Sequence, residues 1–85
     1  MTREAFGIEV AEWMRTQRGE LGLTQDSVAA AVGTTVATIS RWESGDRQPG
    51  IYSYRILRRY FKQMRDLQSA ANARAVLNVI DRRDV

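Results

Sequence analysis

Arginine is the residue type with the most chemistry to offer in this sequence. Twelve of its thirteen basic residues are arginine. A planar guanidinium with fixed donors suits forked contacts to phosphate and to guanine, although a GC-rich genome would produce the same bias. The bases are unevenly placed: residues 1–48 carry five arginines against seven acids, whereas residues 49–85 carry eight bases against three acids. A basic half points to a polyanion or to an acidic partner. Catalysis has much less to work with. Histidine and cysteine are both absent, which removes the usual zinc ligand sets, disulfides and the common pairings of nucleophile with base. No glycine-rich phosphate loop occurs, and Glu9 with Glu12 reads as a solvated helix face rather than a catalytic carboxylate pair. The expectation is a protein that is not an enzyme, with no catalytic residues, no metal and no cofactor.

Helices must position these arginines, because the apolar spacing is helical nearly throughout and no stretch alternates convincingly enough for a strand. Thr2 can cap a first helix with Phe6, Val10, Trp13, Met14 and Leu21 on one face, ending near Glu20 where Gly19 and Gly22 flank Leu21. Thr24 suits the N-cap of a second helix, Gln25 to Val32, with Val28, Ala29 and Val32 inward, and Gly33 ends it. Thr35 then caps a third helix that turns Ile39 and Trp42 inward and closes at Gly45 in a left-handed conformation. Arg47 to Gly50 reads as a turn. A fourth helix follows, its buried stripe expected at Ile51, Tyr54, Leu57 and Phe61. Two short helices about a tight glycine turn have a known use on DNA. The first crosses the backbone, the second lies in the major groove, and a small residue such as Ala29 lets the two approach closely.

From Met14 to Phe61 the chain resembles the Cro and phage-repressor (XRE-type) family of helix-turn-helix proteins. The resemblance rests on Arg18, Gln25, Val28, Ala29, Gly33, Thr35, Ile39, Ser40, Glu43, Gly45, Arg47 and Pro49 at the family's spacing. It implies an all-α, four- to five-helix lambda-repressor-like domain, here with an additional C-terminal helix. It also implies that Val36, Ala37 and Arg41 face base edges, with Thr38 flanking them. Arg41 can fork onto guanine O6 and N7, while Val36 and Ala37 offer only apolar contact to a thymine methyl, so specificity is expected to lean on Arg41. Gln25 and Thr35, each at a helix start, suit phosphates, and Arg18 and Arg47 are further phosphate candidates. The family also pairs an arginine late in its first helix with a glutamate near the end of the recognition helix, which falls on Arg18 and Glu43. Two departures stand out: Arg58 occupies a position where the family has a small residue, and after Phe61 no glycine turns the chain into a short fifth helix.

Two features lie outside the resemblance. Arg55, Arg58, Arg59 and Lys62 form a basic stripe that fits either phosphate contact or a solvated face. Beyond Gln68, Ala73, Val76, Leu77 and Ile80 form a second apolar stripe that is rotated away from the first. Either the chain breaks near Ser69 to Asn72, or one long helix shows this stripe to another molecule; folding back over its own core is the plainer possibility. The expected organisation is a DNA-binding domain at 1–68 and a C-terminal dimerisation segment at 69–85.

The early charges Arg3, Glu4, Glu9 and Glu12 leave no apolar signal-peptide core, and the uncharged stretch 27–40 is too short and too rich in Ser and Thr to span a bilayer. Together these readings point to a cytoplasmic, homodimeric regulator that binds a double-stranded operator, with no membrane association and no evident small-molecule ligand. An antitoxin that binds its own promoter, and an interaction module that kept the fold but lost the DNA, are the competing functions.

Overall fold

A computed structural model describes residues 3–83, with side chains described from Glu9 to Val79. The expected cap Thr2 lies outside the described residues, and so do the side chains of Phe6 and Ile80. Four helices follow one another: α1 (Arg3–Leu21), α2 (Gln25–Val32), α3 (Val36–Ser44) and α4 (Ile51–Arg83). No strand occurs among the described residues.

The short helices begin and end where local chemistry dictates. Thr24 caps α2 by accepting the Ser27 N–H at 3.1 Å, and Thr35 caps α3 by accepting the Thr38 N–H at 3.2 Å. Each cap satisfies one of the orphan donors of a helix start. Gly33 (φ 79°) and Gly45 (φ 84°) close the two helices in the left-handed region, which L side chains rarely adopt.

Each helix packs chiefly on two others, in the cycle α1, α3, α2, α4, so α3 and α4 stand diagonally across the core. Every helix contributes to the centre. Val10, Met14 and Leu21 come from α1, Val28 and Ala29 from α2, Ile39 and Trp42 from α3, and Leu57 and Phe61 from α4. Burying a side chain of this size stabilises by roughly 1.5–3 kcal/mol. Trp13 packs at the edge of this core, its ring centroid 5.4 Å from Tyr54 in a tilted contact and 5.3 Å from Phe61 in an edge-on one.

The fourth helix departs from expectation at Ile51 and decides between the alternatives left open for its C-terminal end. Ile51 is 59% exposed rather than part of the buried stripe. At about 100° per residue it lies about 120° around the helix from Leu57, whereas Tyr54, Phe61 and Met64 stay within about 60°. The C-terminal segment is also not a separate helix. It continues α4 without a break at Ser69–Asn72 and does not fold back on the core. With no Gly or Pro after Gly50, nothing in the chain interrupts the hydrogen-bond ladder. The Gln68 side-chain amide donates to the Leu21 carbonyl at 2.7 Å, and beyond that tie every residue from Ser69 to Val79 is exposed. The molecule is accordingly elongated, 59 Å along its longest axis.

Candidate nucleic-acid interface

The outer face of α3 is built from the inside out. Ile39, Trp42 and Glu43 are buried beneath it, while Val36, Ala37, Ser40 and Arg41 are exposed. At the helical angle per residue these four span about 140° on the side away from the core. Ala29 on α2 is 3% exposed, and a side chain this small lets the two helices approach. Both ends of α3 are hydrogen-bonded. The Arg41 carbonyl accepts from the Arg47 N–H and the Ser44 hydroxyl, and the Trp42 carbonyl accepts from the Gly45 N–H. The Glu43 carbonyl accepts from the Arg15 guanidinium. Charge on Arg15 also complements the negative end of the helix.

Beneath the face lies a buried carboxylate. Glu43 is 5% exposed and receives three hydrogen bonds from Arg18, two at 2.9 Å and one at 3.1 Å. Such a forked pair fixes geometry as well as charge. Arg18 also donates from Nη1 to the Leu23 carbonyl at 3.2 Å, which ties the α1–α2 connection to the same point. Hydrogen bonding to Glu43 raises the Arg18 guanidinium above its ordinary value; burial opposes this, and the Glu43 charge adds to it. Arg18 therefore stays charged throughout the range in which a protein works. Gln25 leans toward the same carboxylate, with its amide nitrogen 3.5 Å from Glu43.

The structure places the remaining candidates as follows. Thr35 and Arg47 are exposed beside the two ends of α3, and Thr38 is half-buried with its hydroxyl 3.0 Å from that of Thr35. Among the described residues, no side chain forms a hydrogen bond or ion pair with the exposed Arg41 guanidinium. Arg18 points into the Glu43 pair rather than outward, although its side chain remains 29% exposed. Arg15 and Ser40 are not among the site residues expected from the sequence. A three-residue step from Arg18 puts Arg15 on the same side of α1, and a four-residue step from Val36 puts Ser40 on the outer face of α3, so helical spacing alone could have indicated both.

Two capped helices about a left-handed glycine, the second with its core side anchored and its outer side bare, define a helix-turn-helix DNA-binding fold. The helix-turn-helix family model matches residues 14–62, more than half the chain, and the protein belongs to that family in its XRE, Cro-like type. No curated protein and no solved structure matches the chain. The family is one of DNA-binding regulators and not of enzymes. Among the described residues no helix is long and apolar enough to cross a membrane.

Proposed function

We propose that this protein is a sequence-specific transcriptional regulator, a short repressor or Cro-like protein of the cytoplasm, that reads a double-stranded operator with α3 in the major groove. One observation carries the reading: α3 is anchored on its inner side by Ile39, Trp42 and the Glu43 pair, while Arg41 extends outward with its donors uncommitted. In this reading Arg41 forks onto a guanine, Val36 and Ala37 meet thymine methyls, and Thr38 flanks them. Gln25, Thr35 and Arg47 hold phosphates and fix register, with Arg18 contributing to a phosphate from within its pair.

The operator is read by two copies, joined through the exposed end of α4. Val76 and Leu77 are 58% and 60% exposed there, and Ala73 shares their side of the helix. Ile80 continues the pattern in sequence. Selection from a random duplex pool tests both parts of the proposal. The expected result is a site with two related halves about 10–10.5 base pairs apart. A chain ended after Gln68 should sediment as a monomer and lose affinity for that site. A truncated chain that still dimerises, or a full-length chain that is monomeric at micromolar concentration, would contradict the dimer.

A further inference from the structure

The basic stripe of α4 does not lie on a featureless solvated face. Arg55, Arg58, Arg59, Lys62 and Arg65 form one side of a groove of about 640 Å³, with Trp13 and Gln17 of α1 opposite and Phe61 on the α4 side. Among the described residues no carboxylate lines it, and none of α2 or α3 contributes to it. The groove therefore shares no lining residue with the outer face of α3, which is formed by Val36, Ala37, Ser40 and Arg41. Arg65 reaches across to hydrogen-bond the Gln17 side chain and joins the two walls. Arg58 lies 5.9 Å from the Tyr54 ring centre. Lys62 is paired with Asp66 at 3.3 Å, but both side chains are largely exposed, and such a pair exchanges readily for an incoming carboxylate.

We infer that this groove is a docking site for an acidic, amphipathic helical segment of a protein partner. Charge sets the sign of the occupant: five cations over about 15 Å of helix call for several negative groups at similar spacing. The half-buried ring of Trp13 then separates the two classes of anion. A duplex backbone is a hydrophilic polyanion with nothing to place against that ring, whereas an acidic helix can present carboxylates to the rim and a leucine or phenylalanine to Trp13. The rim spacing also suits it, because Arg55, Arg58 or Arg59, and Lys62 recur at the three- and four-residue steps that align with glutamates on a facing helix. The far end of α4 in a second copy is a poor occupant, since its described charge, Arg74, is of the same sign as the rim. Groove and far end are therefore two surfaces, and the groove leaves α3 free for DNA.

The test follows the indole N–H signals of the two tryptophans by NMR, with Trp13 assigned through Trp13→Phe. The probe is a synthetic helix with glutamates on one face and leucine and phenylalanine on the other. Comparators are an oligo-glutamate of equal charge, the same helix with lysine for glutamate, and duplex DNA. The acidic amphipathic helix should shift Trp13 while leaving the buried Trp42 in place, and should bind about tenfold tighter than oligo-glutamate because it buries an apolar anchor. The double variant Arg59→Glu with Lys62→Glu, both at exposed positions, should weaken it about tenfold or more. The lysine helix should not bind. Absence of a Trp13 shift, equal affinity for oligo-glutamate, or displacement of the acidic helix by duplex DNA with a shift at Trp13 would each overturn the proposal.

Discussion

The two halves of α4 are one uninterrupted helix with opposite surroundings. Up to Gln68 the helix is part of a closed body, with Leu57 and Phe61 in the core and Gln68 tied to the end of α1. From Ser69 to Val79 the same helix is exposed on every side. Its alanines at 70, 71, 73 and 75 and its freedom from Gly and Pro make it locally helical. Local propensity is weak support, and most helical stability in proteins comes from packing an apolar face. The contrast separates two jobs: the first half of α4 completes the fold that holds α3 in place, and the second presents an unburied stripe beyond it.

The largest expected effect tests this contrast directly. Leu57→Ala should destabilise by roughly 2–5 kcal/mol, since it opens a cavity at a position with no exposure. Leu77→Ala should change stability by less than about 0.5 kcal/mol when thermal denaturation is followed at concentrations where the chain is monomeric. Comparable losses at both positions would mean that the far end packs on the body. Next in size is Glu43→Ala. Arg18 would lose its partner, and three helices would lose the point where α1, α2 and α3 are tied, so the loss should be roughly 2–4 kcal/mol. That is less than for a fully enclosed pair, because Arg18 can turn to water. A melting temperature equal to the parent's would show the pair to be ornamental. Smallest is Thr35→Ala, which removes a cap worth about 1 kcal/mol. It should also weaken binding to operator and random duplex by the same factor; a changed base preference would make Thr35 a reader instead of a positioning contact.

Much of the body was legible because its signals are local. A threonine three residues before the N–H it accepts, and a glycine where the chain must turn left-handed, can be read one element at a time at Thr24, Gly33, Thr35 and Gly45. The facing of Arg18 and Glu43 came only through family resemblance, because 25 residues separate them and no local rule relates them. The three-residue step from Ile51 to Tyr54 suggests a shared stripe, but the angle of about 120° to Leu57 carries Ile51 out of it. Whether α4 continued past Ser69 could not be read, since serine both caps a helix and is tolerated within one. The groove was illegible for a different reason: the stripe is visible in sequence, but Trp13 joins it only through packing between α1 and α4.

The central claim is that the outer face of α3 reads bases and that Arg41 carries most of that reading. It is tested most directly by comparing Arg41→Ala with the parent on a selected operator and on random duplex, at two salt concentrations. The account predicts a loss of roughly 1–3 kcal/mol of discrimination on the operator, while binding to random duplex falls only by what one charge contributes and its salt dependence changes by about one phosphate's share. An equal loss on both duplexes would contradict the claim and reduce Arg41 to a phosphate contact.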